Sequence, residues 1–221
     1  MTSVTSWTKA AAYNARQRNE LTALQALGWW PWQSRAIASE QLASEVAAWQ
    51  RANGLTPDGC CGPATWTKLR EVCAPRTWLQ RLPRGLHQIE QVYGKIGEFD
   101  PVRVPIFAGS GRAVRIHPAL ADELPALLQL AADLSGYVPK DVQTYNKRKK
   151  RGGDNPGTDW STHSWPIAFD ADPSANPWGN KPSSPLIKHP MFLAVFRAAG
   201  WRCGADWRTP DTMHVQACWG Y

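Results

Sequence analysis

The sequence predicts an α+β fold, with a separate N-terminal three-helix module ahead of a small mixed domain. Three observations carry this. Apolar residues recur at helical spacing through the first third of the chain, with capping residues before them and glycines after. Beyond a basic, proline-broken stretch, short strand-like runs ("DVQTYN", "IAFDAD", "MHVQA") alternate with helix-like runs. These follow no regular strand–helix–strand rhythm, which points to a small α+β domain. The expected boundaries are a helical module over 1–75, a linker over 76–84 and a second domain over 85–221.

The elements follow in order. "ELTALQALGWW" places Leu21, Leu24 and Leu27 on one helix face, with Gly28 as the stop. In "SEQLASEVAAWQRANG", Ser39 can cap, Leu42, Val46 and Trp49 share a face, and Gly54 ends the helix. "LTPDGCCGPATWTKLREV" gives a turn at Pro57–Gly59 and a helix that starts on Pro63, with Trp66, Leu69 and Cys73 inward. "RTWLQRLPR", broken by Pro83, reads as the linker. Farther on, Leu120, Leu124, Leu127, Ala131 and Leu134 lie at helical spacing, and Pro125 marks either a kink or the true helix start. "HPMFLAVFRAAG" turns Phe192, Val195, Phe196 and Ala199 inward and stops at Gly200.

At 221 residues and 43% hydrophobic, the chain can bury a core in one large domain or two small ones. Its net charge of +7 draws it to anionic partners: nucleic acid, acidic lipid or an anionic cell wall. The five cysteines are odd in number and form no CxxC pair, so neither a zinc ribbon nor a thioredoxin-like site is indicated. Small buried thiols in a reducing compartment are expected instead. No N-terminal stretch has signal-peptide order, and no apolar run is long enough to span a membrane. A monomer made in the cytoplasm without a membrane anchor is therefore expected. The 13 tryptophans, many for this length, favour a ligand-binding protein.

Five histidines are present. His87, His117 and His189 read as structural or surface residues, the last two each preceding a proline at a helix entrance. His163 sits in an S-x-H run with Asp170 seven residues later, and His214 follows Asp211 by three. Two imidazoles and a carboxylate form the ligand set of a catalytic zinc site with an open fourth position. Such a site also needs a base near the attacking water, and Asp211 is the candidate. Spacing alone leaves the assignment open. In an ideal strand, offsets of seven and three put side chains on opposite faces, so the site requires bends.

Two stretches resemble known families. "VAAWQRANGLTPDGCCGPATWTKL" is similar to the second half of a three-helix peptidoglycan-binding domain. The matching pairs are Trp49-Gln50, Gly54-Leu55, Asp58-Gly59, Gly62-Pro63 and Thr65-Trp66. "WWPWQSRAIA" interrupts the first half. Residues 144–172 and 200–216 resemble the zinc peptidases that cleave peptidoglycan stems. That family groups D-alanyl-D-alanine carboxypeptidases, D-Ala-D-Ala dipeptidases and L-alanyl-D-glutamate endopeptidases, several of them phage endolysins. Its S-x-H-x(6)-D hallmark and downstream acid and histidine fall on Ser161, His163, Asp170, Asp211 and His214. "TYNKRKKRGG" looks like the segment with an arginine before the first ligand, and Arg148 matches it. "AAGWRCGADW" and "DTMHVQ" look like the endolysin branch's ending.

The resemblance implies Zn2+ held by His163, Asp170 and His214, with Asp211 as general base. It also implies an α+β zinc-peptidase domain. Three departures stand out: Pro166 where glycine is usual, Val215-Gln216 where Phe-Glu is usual, and Asp172 where a neutral residue is common. Asp172 thus competes with Asp170 as the carboxylate ligand. The run Lys147–Arg151 accompanies no nucleic-acid motif. It reads as a clamp for substrate carboxylates, with Arg148 inward and the others outward.

The expected protein is a peptidoglycan hydrolase whose partner is the bacterial wall, not nucleic acid. A wall target without a signal peptide points to a phage endolysin, made in the host cytoplasm and active on the wall after release. The favoured bond is L-Ala-D-Glu. The alternatives are a D-alanyl-D-alanine carboxypeptidase, an inactive wall-binding protein with Pro166 as its symptom, and a basic nucleic-acid binder.

Overall fold

The computed structural model describes residues 6–151, 157, 159–179 and 182–221. It divides into two compact units, Met1–Ala74 and Pro75–Tyr221.

The first unit holds α1 (Thr8–Ala15), α2 (Arg18–Ala26), α3 (Glu40–Ala52) and α4 (Pro63–Cys73). The last three are the expected helices, and α1 is an addition. Leu21, Leu24, Leu42, Val46 and Leu69 are fully buried and form the core. Ser39 caps α3, its Oγ accepting from Leu42 N at 3.1 Å. Pro63 opens α4, where its missing N–H costs nothing. Trp66 and Cys73, expected inward, are only half-buried. Trp66 instead lies at the rim, its Nε1 donating to Gln17 Oε1 at 2.9 Å.

A buried amide explains the Trp-Gln and Asp-Gly pairs of this unit. Gln50 Nε2 donates to Asp58 Oδ1, Cys60 O and Thr65 Oγ1 at 2.9–3.0 Å, and its Oε1 accepts from Gly59 N at 2.9 Å. One side chain therefore ties α3, the turn and α4 together. Gly59 has φ of 73°, and a Cβ there would sit 2.7 Å from Ala43 O, so only glycine fits.

The second unit contains α5 (Gly85–Tyr93) and a hairpin of β1 (Val102–Pro105) and β2 (Ala113–Ile116). Then follow α6 (Glu123–Ser135), β3 (Val142–Gln143), β4 (Ala168–Ala171), α7 (Pro185–Lys188), α8 (Pro190–Ala198), β5 (Arg202–Cys203) and β6 (His214–Gln216). The last four strands form one antiparallel sheet in the order β3-β4-β6-β5. Helix α6 packs on α8. Their core joins Leu124, Leu127, Leu128 and Ala131 to Phe169, Phe192, Phe196 and Trp201. Trp201 Nε1 donates to the buried Glu123 Oε1 at 2.6 Å. Because α6 starts at Glu123, Pro125 sits in its first turn, where proline is tolerated.

The end of the stretch expected as a linker is docked on this unit. Trp219 N donates to Pro83 O at 2.9 Å, Gly85 N donates to Trp219 O at 2.8 Å, and Leu82 is buried. Among the described residues, no helix is long and apolar enough to cross a membrane. Cys61, Cys203 and Cys218 are buried, while Cys60 and Cys73 are half-buried.

Candidate metal centre

His163 is presented by a 3-10 turn, Thr162–Ser164, not by a strand. Ser161 caps that turn, its Oγ accepting from His163 N at 3.4 Å, which gives the serine of the S-x-H run a physical role. The turn is stapled to the chain before it. Asn146 N donates to His163 O, Ser161 N donates to Arg148 O, and Ser164 Oγ donates to Arg148 O. Asp170 lies on β4 and His214 on β6, directly opposite each other in the ladder. The bends that strand geometry demanded are thus supplied by the turn and by cross-strand pairing.

The three side chains converge. His163 Nε2 is 3.2 Å from His214 Nδ1 and 3.2 Å from Asp170 Oδ1, and His214 Nδ1 is 2.9 Å from Asp170 Oδ1. Each ring is oriented by its other nitrogen. His163 Nδ1–H donates to Thr144 O at 2.6 Å, and His214 Nε2–H donates to Gln216 Oε1 at 3.0 Å. Gln216 Nε2 donates in turn to Cys218 O and Tyr221 O, which assigns its amide orientation. Those tautomers leave three lone pairs aimed at one point, an arrangement that calls for a cation.

The dimensions fit one. Three ligands on a tetrahedral ion with bonds of about 2.0 Å stand about 3.3 Å apart. The electrostatics agree. Burial opposes ionisation of Asp170, yet hydrogen bonds donated by His163 and His214 when those rings carry a second proton hold its carboxyl well below the usual range. Burial likewise opposes a charge on His214, and Asp170 outweighs it, raising that pKa. The cluster attracts positive charge, and the His-Asp-His set could hold a metal ion.

Asp211 lies beside this set, not in it. Its backbone is pinned: Asp211 N donates to Gly204 O at 2.9 Å, and Asp211 O accepts from His214 N at 3.0 Å. A Cβ on Gly204 would sit 2.4 Å from Asp211 O, so only glycine admits this approach. The carboxylate Oδ1 is buried, with no hydrogen-bond partner among the described residues. Burial raises the Asp211 pKa, and the Asp170 charge adds to this while His214, His163 and Arg148 pull it down. Burial also lowers the Arg148 pKa, and the guanidinium feels both Asp170 and Asp211.

The rest of the basic run does not simply point outward. Lys149 Nζ lies 3.8 Å from the Trp160 ring centre, and Lys150 Nζ lies 3.8 Å from that of Tyr221. Gly152 and Gly153, at the end of that segment, fall outside the described residues. Asp172 is removed as a rival ligand. Its φ of 44° takes it out of the strand, and its carboxylate accepts from Tyr137 Oη, Lys140 N and Asp141 N. His117 caps a 3-10 turn by accepting from Ala119 N, and His189 donates to Ser135 O, so both hold local structure.

Sequence reasoning did not find the groups that orient the ligands. Gln216 could have been found, since it lies two residues after His214 on the same strand face. Thr144 acts through its carbonyl, which no side-chain pattern reveals. Trp207, whose ring centre is 5.2 Å from that of His214, is a third.

Residues 154–217 match the family model described as D-alanyl-D-alanine carboxypeptidase. Residues 22–69 match the one described as a putative peptidoglycan binding domain. No curated protein and no solved structure matches the chain. The first match spans all three converging side chains and Asp211, and the second spans α3 and the Gln50 hub. The chain therefore joins a segment similar to a peptidoglycan-binding domain to a segment similar to the D-alanyl-D-alanine carboxypeptidases, the two-part architecture that the sequence led us to expect.

Proposed function

We propose that the protein is a zinc peptidase that cuts the peptide stems of peptidoglycan. The observation that carries this reading is the triangle of lone pairs on His163 Nε2, Asp170 Oδ1 and His214 Nδ1, with both rings locked from behind. A zinc ion held by these three atoms supplies Lewis-acid polarisation of the scissile carbonyl and makes an attacking water more acidic. Asp211 accepts the proton of that water, then hands it to the departing amine. Its unpartnered, buried Oδ1 and raised pKa suit a group that must take up and release a proton. Arg148 receives a carboxylate of the stem, which carries several.

The bond we assign is L-Ala-D-Glu, and the role is that of a phage endolysin acting on the wall after release. Support comes from the endolysin-like ending, in which Gly204 admits Asp211 to its place. A second reading, D-alanyl-D-alanine carboxypeptidase, is favoured by the description of the matching family. The module over 1–75 holds the wall, and residues 85–221 do the cutting, as a monomer. Digestion of purified peptidoglycan, followed by mass spectrometry of the released fragments, tests this. New N-terminal D-Glu supports the endopeptidase, and release of free D-Ala supports the second reading. No release of either, with zinc bound, contradicts both.

A further inference from the structure

Beside the segment that carries His163 lies a cleft of about 360 Å3 whose role the peptidase chemistry does not require. Trp160, Trp165 and Tyr221 line it together with Glu90, Lys95 and Asp159, and Leu86 and Ile96 complete an apolar wall. Two links tie it to the metal centre. Trp160 and Trp165 flank the Ser161–Ser164 segment that presents His163. Tyr221 O accepts from Gln216, whose other end orients His214.

The rings are fixed in advance. Trp165 Nε1 donates to Gly94 O at 3.0 Å, and Trp165 meets Tyr221 edge-on at 5.6 Å. Tyr221 Oη donates to Trp160 O at 2.9 Å. Lys149 and Lys150 lie on the Trp160 and Tyr221 rings, and Lys150 also pairs with Asp159 at 3.5 Å. A ligand entering here has little side-chain ordering to impose, which favours binding.

The chemistry of the lining selects the ligand. Lys95 offsets Glu90 and Lys150 pairs with Asp159, so the lining has no net charge with which to hold an anionic stem peptide. A purely apolar ligand would strip water from Glu90, Lys95 and Asp159 without return. A neutral sugar satisfies both constraints, with apolar ring faces for the aromatics and hydroxyl and amide groups for the charged side chains. We propose that this cleft is a subsite for an N-acetylated amino sugar of the glycan strand, holding the sugar that bears the stem being cut. The proposal rests on the peptidoglycan reading above.

The test uses the full chain and two substrates: a stem peptide still carrying its disaccharide, and the same peptide without it. Wild type is expected to show a KM about tenfold lower for the sugar-bearing substrate, the scale of a good aromatic contact. Trp160→Ala and, separately, Glu90→Gln should erase that preference while leaving kcat/KM on the bare peptide within about twofold. Equal activity of wild type on both substrates overturns the proposal. So does equal loss on both in the Glu90→Gln variant, which keeps the shape of the side chain. A second arm needs no catalysis: addition of the free disaccharide should shift the indole N–H resonances of Trp160 and Trp165 in wild type. If neither substrate is cut but these resonances shift, the peptidase reading fails and the sugar site stands; if they stay still, the sugar site fails.

Discussion

Asp170 and His214 stand directly opposite each other in the β4–β6 ladder, with Oδ1 and Nδ1 2.9 Å apart. Two of the three converging groups are therefore set by strand register, and the third by a capped turn stapled to the chain before it. A slip of one residue would carry Asp170 to the other face of the sheet and dismantle the site. The centre is as rigid as the sheet that holds it.

The first prediction separates the two aspartates of β4 and the bend after it. His163→Ala should lose nearly all bound zinc. Asp172→Asn should keep its zinc but lose stability, by about 1–3 kcal/mol, because the carboxylate satisfies Tyr137 and two backbone N–H groups. Metal analysis and thermal unfolding check this. Zinc loss in Asp172→Asn with the fold intact would make Asp172 the ligand.

How much of this was legible in the sequence depends on where each determinant lies. Local signals were readable: the Ser39 cap, the Pro63 start, the Asp58-Gly59 turn and the apolar faces of α3, α6 and α8 each sit within a few residues. From spacing alone the candidate ligands were readable as residue types but not as a site, which only the family resemblance assembled, because the opposition of Asp170 and His214 is a cross-strand fact 44 residues apart in sequence. Helix α5 escaped because it begins on glycine without a side-chain cap. The β1–β2 hairpin escaped because its strands are four residues each, too short for alternation to stand out.

The second prediction concerns Gln216. Its Oε1 fixes the proton of His214 on Nε2 and so leaves Nδ1 free to coordinate. Gln216→Leu removes the acceptor and should weaken zinc affinity by about 10–100-fold, the usual effect of losing such a partner. Gln216→Glu restores an acceptor with full charge and should bind zinc at least as tightly as wild type. Competition against a chromogenic chelator measures both. Wild-type affinity in the Leu variant would mean that the ring is oriented by other contacts.

The third concerns the approach of Gly204 to Asp211. Gly204→Ala places a methyl group 2.4 Å from Asp211 O, so the loop must shift. Asp211 O also accepts from His214 N, but His214 is held in the β4–β6 ladder as well, so zinc should stay bound while kcat falls at least tenfold, since a small misplacement of a catalytic group is costly. Zinc content and peptide cleavage should be read on one preparation. An active Gly204→Ala enzyme would show that the loop tolerates displacement without moving its carboxylate.

The most direct measurement tests Asp211 itself. Asp211→Asn keeps the shape of the side chain but cannot take up a proton. The account predicts full zinc occupancy, a normal thermal transition and a rate of wall lysis lower by about a hundredfold or more, the scale for removing a positioned base. Zinc and lysis must be measured together on the same sample. Loss of zinc would make Asp211 a ligand, and undiminished lysis at full occupancy would contradict its role as the proton acceptor.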